Sequence, residues 1–369
     1  MFREEDFVRI AKRENNTKRS FLIVNPLQGK HIPVSPSVAM SVFSEITNLI
    51  REQHINEKLL VIGFAETATA LGSQIAIDLS CDYIQTTREV VKDSEYLFFS
   101  EEHSHATEQK LVKNGLNEKI YSYDRIIFVD DEISTGKTIL NIINAIEKSF
   151  NRVFKYSVAS ILNGMDERNF SIYKEKGISL FYLVKTHPEK YAEIANSLEL
   201  KVLSNMYLTP DFESSCPYDQ ISVNGFINSR KLLNSKDYLK ACDELWNQIQ
   251  NNKLDDEASN LLIIGTEEFM YPAMYVGKKY EELGKKVKFH ATTRSPIMVC
   301  EEAVYPLHKR YELKSLYDSD RITYIYDIKS YDKVLIITDS NGKQTVGVRT
   351  LINALSTLNS SICLIRWQE

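Results

Sequence analysis

Residues 126–138 read IIFVDDEISTGKT, and the fold class follows from how that stretch is parsed. The run 126–129 is short, apolar and β-branched, the pattern of a buried strand. The following TILNIINAIEK places Ile139, Ile142, Ile143 and Ile146 at helical spacing. Between them DDEISTGK makes a short turn at the strand's carboxyl end. Such a turn presents backbone N–H groups at a helix N-terminus, where the helix dipole favours negative charge. Gly136 lets the backbone close around an oxyanion, Ser134, Thr135 and Thr138 can donate hydroxyl hydrogen bonds, and Lys137 adds a positive charge. An ordinary strand-to-helix connection with Ser/Thr capping reads the same way, so STGKT alone does not separate the two.

The same alternation runs along the chain. Strand-like runs at Phe21–Val24, 59–62, 156–161 and 180–184 alternate with amphipathic stretches such as VAMSVFSEITNLIREQ and ALGSQIAIDL. Nearly continuous apolar strands separated by helices predict a parallel sheet covered on both faces, whose ligands sit at the strands' carboxyl ends. Residues 209–225, TPDFESSCPYDQISVNG, carry prolines, a glycine and few apolar residues, and read as a linker between domains at 1–208 and 226–369. After the linker the pattern restarts in the same order. LLVIG (59–63) is echoed by LLIIG (261–265), YIQTTR by FHATTR, and IIFVDDEISTGK by VLIITDSNGK. Three echoes in register predict a second, related α/β domain derived by duplication, with an altered site.

The bulk composition excludes other classes. The chain has 369 residues and a net charge of -5, with no basic tract for a nucleic-acid backbone. The start, MFREEDFVRIAKRENN, lacks the apolar core of a secretory signal, and no apolar run approaches the ~20 residues of a membrane span. The five cysteines (Cys81, Cys216, Cys242, Cys300, Cys363) never pair as CxxC, which fits reduced thiols in a cytoplasmic, soluble protein.

A carboxylate pair before an anion turn needs a particular ligand. A triphosphate P-loop requires G-x-x-x-x-G-K-[ST], and the position five before Gly136 is Asp131. That carboxylate would oppose a β-phosphate. Asp130 and Asp131 can instead accept hydrogen bonds from a vicinal diol. Ribose 5-phosphate carries a 2′,3′-diol on one side and a phosphate on the other, which matches the order acids-then-turn. The same carboxylates would stabilise positive charge developing on the sugar.

Four apolar residues, two acids and a small Thr/Gly loop resemble the signature of type I phosphoribosyltransferases that binds 5-phosphoribosyl 1-diphosphate (PRPP). Within that superfamily the chain is similar to the orotate-phosphoribosyltransferase-like proteins with a C-terminal TRSP domain, whose naming tetrapeptide stands here as Thr293, Arg294, Ser295 and Pro296. NPLQGKHIPVSP, GFAETATALG and EEHSHATEQ share the resemblance, which covers nearly the whole chain. It implies a type I phosphoribosyltransferase-like sheet flanked by helices, a glycosyltransferase activity that moves phosphoribosyl to a base-like acceptor, Mg²⁺ carried on the substrate, and an association with tellurium resistance and stress. It also implies roles. Asp130 and Asp131 would be catalytic and Ser134–Thr138 would hold the 5-phosphate. Phe64, Ala65, Glu66 and Thr67 would form the pyrophosphate loop, with Glu66 near magnesium through water, although Gly63 serves an ordinary strand-to-helix turn equally well. Arg88 would bind pyrophosphate or lie solvated on the surface. Residues 89–110 would form a loop closing over the site, with His105 a proton donor or pyrophosphate contact; His103 and His105 without a third ligand are weak grounds for zinc. Lys30 and His31, in an N-terminal hood, would meet the acceptor base or simply sit on a surface loop. Glu132 departs from the apolar residue more usual there, and facing solvent, holding a magnesium-bound water and reading the second substrate all stay open. In the second half, Arg294 takes the place of Arg88, Glu267 and Glu268 fall near the place of Glu66, and SNGKQT keeps Gly342, Lys343 and Thr345. The partners implied are small molecules rather than a membrane or nucleic acid, with a homo-oligomer or an intramolecular pseudo-dimer both open. The alternative function is a non-catalytic PRPP- or nucleotide-sensing regulator, and a related reaction breaking a nucleotide's glycosidic bond would need the 5-phosphate loop alone.

Overall fold

The computed structural model describes residues 2–14, 19–54, 56–100, 109–201, 206–210, 216–254 and 258–369. The chain forms two compact units, one of Met1–Glu4, Met40–Pro188 and Ile227–Lys240, the other of Glu5–Ala39, Glu189–Phe226 and Ala241–Glu369. They are interleaved in sequence. The segment expected as a hood on the first domain packs with the second unit instead, because its apolar residues are buried there: Ala11 and Val24 share a core with Ile297, Val299 and Cys300. Part of the expected linker, Asp219–Val223, is a strand paired in parallel with Ile362–Trp367.

The first unit is built on a six-stranded sheet in the order Leu233–Asn234, Asp82–Gln85, Leu59–Gly63, Arg125–Ile133, Lys155–Asn163, Ser179–Lys185. All neighbours are parallel except Leu233–Asn234 against Asp82–Gln85. Leu59–Gly63 is buried along its whole length, as expected of a strand covered on both faces. The helix Lys137–Phe150 buries Ile139, Ile142, Ile143, Ile146 and Phe150, the stripe its spacing predicts. Burial of each such isoleucine is worth about 2 kcal/mol. A separate antiparallel pair, Tyr96–Phe99 with Gln109–Val112, flanks residues 101–108, which lie outside the described residues together with His103 and His105.

The second unit has a five-stranded, all-parallel sheet in the order Asp219–Val223, Ile362–Trp367, Lys333–Thr338, Asn260–Thr266, Lys286–Thr292. A three-stranded sheet (Tyr207–Leu208, Arg310–Lys314, Ile322–Tyr326) and the hairpin Arg9–Lys12/Phe21–Val24 complete it. The strands that carry the sequence echoes, each with the strand that follows, stand in the same spatial order in both sheets. Among the described residues no helix is long and apolar enough to cross a membrane.

Candidate active site

Of three neighbouring parallel strands of the first unit, two end in register and the third, Arg125–Ile133, runs on past them. Gly63 stands in register with Gln85 on one side and Val129 on the other. The segments that follow them, 64–68, 86–89 and 130–138, therefore converge at the carboxyl edge of the sheet, where ligands of such sheets bind.

The strand that carries the acids is longer than the sequence suggests. It runs from Arg125 to Ile133, with Asp130 opposite Ser160 and Glu132 opposite Leu162, so only Ser134–Gly136 turn. The reason is pairing: Lys155–Asn163 supplies a partner as far as Asn163, and a paired strand continues even through charged residues. Strand alternation then sets Asp130 and Glu132 toward one face and Asp131 toward the other. The two aspartates straddle the strand end, and the N–H of Asp131 donates to Asp130 Oδ1 at 2.9 Å. All three carboxylates are half-buried.

The turn is held from below. Gly136, the residue before the helix, has φ of 75°, in the left-handed region that favours glycine. A Cβ there would lie 2.4 Å from Tyr173 Oη and 2.5 Å from Met165 Cε. Tyr173 Oη donates to the Gly136 carbonyl at 2.6 Å, and burial pushes the phenol's pKa up from its ordinary value, which keeps it a donor. Gly164 N–H donates to the Ile133 carbonyl at 2.7 Å, which fixes the loop that carries Met165. The helix N-terminus has no side-chain cap at Gly136, while Lys137 N–H donates to Thr135 Oγ1 at 3.3 Å. Ser134, Thr135 and Thr138 are half-buried and Lys137 is exposed.

The 64–67 segment is a fixed element. Phe64 N–H donates to the Val129 carbonyl at 2.9 Å, which ties the segment to the strand of the acids. Ala65 N–H donates to Thr86 Oγ1 at 2.9 Å, Thr86 donates to Gln109 Oε1 at 2.8 Å, and Gln109 Nε2 donates to the Ala65 carbonyl at 2.9 Å. Thr86 and Gln109 are fully buried, and the Ala65–Glu66 peptide is cis. The amides of Phe64 and Ala65 are thus engaged within the protein, and these residues shape the loop. Glu66 is buried and Thr67 half-buried at its crest. Arg88 follows Thr87, whose backbone exchanges hydrogen bonds with Lys110, so it stands at the same sheet edge, half-buried.

Neither Lys30 nor His31 lies on an exposed surface loop. Lys30 and His31 are buried within the second unit, where Val34 pairs with Phe289 and the Gly29 carbonyl meets His290 Nδ1 at 3.2 Å. Burial, with Lys30 and His290 nearby, holds the His31 imidazole well below its usual pKa. Conversely, sequence reasoning missed Tyr173, Met165, Thr86 and Gln109. Only Thr86 had a signal, its place in TTR; the others act from beneath the loops and belong to no pattern.

In the second unit the equivalent strand ends differ. Glu267 and Glu268 are buried, and Arg294 reaches both, at 2.8 Å from Nε to Glu267 and 3.1 Å from Nη2 to Glu268. Arg321 adds a 2.9 Å pair to Glu267, and Ser315 Oγ donates to it at 2.5 Å. The arginine of the TRSP tetrapeptide is thus neutralised within the unit.

The chain is similar to known proteins. A phosphoribosyl transferase family model matches residues 7–209, and a model of the TRSP domain C-terminal to it matches residues 230–355. A hypoxanthine/guanine phosphoribosyltransferase of Methanothermus fervidus is 37% identical over 78 residues, which are 21% of this chain and 38% of that protein, so the chain spans well under half of that curated relative. Among solved structures, adenine phosphoribosyltransferases are similar. That of Trypanosoma brucei, in complex with AMP, pyrophosphate and ribose 5-phosphate, is 20% identical with a TM-score of 0.30, covering 41% of this chain and 65% of its own. That of Giardia lamblia, complexed with 9-deazaadenine, is 15% identical with a TM-score of 0.36, covering 49% and 94%. The strand-end acid pair with its left-handed glycine turn lies inside the first matched region, and the chain belongs to the phosphoribosyl transferase family, with a TRSP domain following the transferase domain.

Proposed function

We propose that the first unit transfers phosphoribosyl from PRPP to a nitrogen of a base-like acceptor, releasing pyrophosphate. The observation that carries this reading is the last part of the strand: two aspartates on its opposite faces, followed after Glu132 and Ile133 by a turn whose glycine is locked by Tyr173. In this reading the turn 134–138 and the helix N-terminus bind the 5-phosphate. Asp130 and Asp131 accept hydrogen bonds from the 2′- and 3′-hydroxyls, one from each side of the strand. The C1′–O bond to pyrophosphate breaks as the C1′–N bond forms, and the sugar passes through an oxocarbenium-like state. Both carboxylates lower the energy of that cation, the electrostatic contribution that matters most at such a centre. Glu66 and Thr67 at the loop crest, with Arg88 beside them, take the pyrophosphate; Glu132, on the face of Asp130, borders the same space. Among the described residues no three carboxylates gather to hold a metal, and Glu66 would approach Mg²⁺ through a bound water, as suits a cation that keeps several waters. Mg²⁺ carried on the diphosphate supplies charge neutralisation for the leaving group. The TRSP resemblance supports a product in nucleotide-type metabolism linked to stress or tellurium resistance, and the matching strand order of the two sheets supports a duplication behind the second unit.

The test incubates the full chain with PRPP, Mg²⁺ and a panel of purine, pyrimidine and related bases, following pyrophosphate and nucleotide by mass spectrometry. Turnover with at least one base is expected, and Asp130→Asn with Asp131→Asn should reduce it by about 100-fold or more. Tight PRPP binding with no turnover for any base would favour the sensing regulator instead. Full activity in the double variant would refute the roles assigned to the two aspartates.

A further inference from the structure

The second unit contains a polar cleft of about 500 Å³ between the edge strand Asp219–Val223 and the N-terminus of the helix Thr345–Ser356. Its volume is in the range of small-ligand sites. Arg366 and Arg349 line it, and among the described residues no carboxylate does. Arg366 is 6% exposed; its Nη1 donates to the carbonyl and the hydroxyl of Ser340, at 2.9 and 2.7 Å, both neutral partners. Arg349 is half-buried, with its Nε enclosed and lacking a hydrogen-bond partner. Among the described residues neither arginine forms an ion pair.

Buried guanidinium groups are normally paired, because desolvating an unpaired charge is strongly unfavourable. Elsewhere in this unit the rule is kept, by Arg294 and Arg321 on Glu267. Around Arg366 it is broken, and burial pulls its pKa below the ordinary arginine value. The helix adds to the same field. Its N-cap, Gln344, makes no side-chain cap, and Asn341, Gly342 and Thr345 from its approach line the cleft. Gly342 has φ of 77° and lies over the Arg366 guanidinium, 3.4 Å from its carbon to the position a Cβ would take. Opposite, Gln220 and Ser222 on one face of the edge strand present amide and hydroxyl groups, suited to neutral hydroxyls.

We propose that this cleft is a second anion site, which binds the phosphate group of a small hydroxyl-bearing phosphate ester. The phosphate lies against Arg366, Arg349 and the helix N-terminus, and the hydroxyl part lies along Gln220 and Ser222. Arginine's planar donors match phosphate oxygens in pairs, and this supplies the counter-charge the cleft lacks. The inference stands apart from the reaction proposed for the first unit.

The test is built to read the two sites separately. In the full chain carrying Thr135→Glu, a carboxylate occupies the first unit's turn, so phosphate effects report the second unit. Inorganic phosphate and ribose 5-phosphate are titrated at constant ionic strength, with sodium chloride as the control, and the melting temperature and calorimetric binding are followed. A concentration-dependent rise in Tm is expected with both phosphates and not with chloride. The sugar phosphate should bind more tightly than inorganic phosphate. Arg349→Gln and the exposed Asn341→Asp, which sets a carboxylate at the mouth, should each weaken binding at least tenfold while leaving the ligand-free Tm within a few degrees. Arg366→Met should abolish it. Absence of any phosphate effect in the Thr135→Glu chain would overturn the proposal, as would equal binding in the Arg349→Gln and Asn341→Asp variants. If chloride matched phosphate, the cleft would be a screening effect and not a site.

Discussion

Replacing Gly136 by alanine tests the strand-end turn at its tightest point. The residue's φ of 75° costs an L side chain about 1 kcal/mol. The new methyl would lie 2.4 Å from Tyr173 Oη, 2.5 Å from Met165 Cε and 2.7 Å from Tyr173 Cζ. Met165 and Tyr173 are 1% exposed, so neither can move aside freely, and forced overpacking of this kind costs about 1–3 kcal/mol. The first unit should therefore lose about 3 kcal/mol, or roughly 6–12 °C in Tm at this size. Thermal melts of Gly136→Ala, Tyr173→Phe and the double variant give the decisive comparison. In the parent chain Tyr173→Phe removes the 2.6 Å bond to the Gly136 carbonyl and should cost about 1 kcal/mol. With alanine at 136 the hydroxyl is the nearest obstruction, so its removal should cost nothing or restore part of the loss. Strict additivity within about 0.3 kcal/mol would show that the two groups do not meet, and would refute the reasoning. So would an unchanged Tm for Gly136→Ala.

Other parts of the molecule give three further expected outcomes. Gln109→Ala removes both bonds that join the Ala65 carbonyl to Thr86, so the apparent KM for PRPP should rise about tenfold with affinity for ribose 5-phosphate unchanged; a parallel loss of both would place Gln109's effect on the whole fold. Glu57, bonded to Arg125 and Lys155, has its pKa lowered from 4.5 to about 2, chiefly by the Arg125 hydrogen bond. Because the folded value is the lower one, the stabilisation is present above pH 4.5 and lost as pH falls toward 2. It amounts to at most about 3 kcal/mol, which solvent screening reduces. Urea midpoints should fall across that window in the parent chain and fall much less in Glu57→Gln. Glu267→Gln leaves Arg294 and Arg321 around a neutral amide in a site 1% exposed, and should destabilise the second unit by about 3 kcal/mol or more in urea unfolding; no change would mean the cage is not held by charge.

How far these features could be read from the sequence depends on whether they are periodic or merely spatial. The parallel sheets were legible because fully buried strands are written as unbroken apolar runs, and the helix 137–150 because its four isoleucines mark one face. The acid pair and its turn were legible because they are contiguous. The interleaving of the units was not, since what joins residues 5–39 to the second unit is burial of scattered residues such as Ala11 and Val24 against Ile297 and Val299. Nor were the supports of the turn, because Tyr173 and Met165 come from 37 and 29 positions beyond Gly136 on no shared pattern.

The same contrast between contiguous and spatial features separates the two units. Leu60 pairs with Ile126 and its echo Leu262 with Val334, so in strand register Thr338 takes the place of Asp130 and Asp339 that of Asp131. In the first sheet Asp130 stands opposite Ser160, a buried small residue; in the second, Thr338 stands opposite Arg366. Asp339 accepts from Tyr317 Oη at 2.6 Å, while the adjoining strand brings a buried cation to the phosphate turn. In the function proposed above, the first unit meets its ligand with carboxylates and leaves the anion to the backbone. Its echo ties up the acids, Glu267 and Glu268 on arginines and Asp339 on a tyrosine, and sets two arginines by the turn. A ribose diol has lost its acceptors there, and a phosphate has gained donors. Common strand order with opposite charge at the strand ends fits the proposal that the second unit is a duplicate keeping anion recognition without transfer chemistry. Restoring a small residue by Arg366→Ala should therefore remove phosphate binding from the second unit without creating a phosphoribosyl site, because Asp130 has no carboxylate counterpart at Thr338.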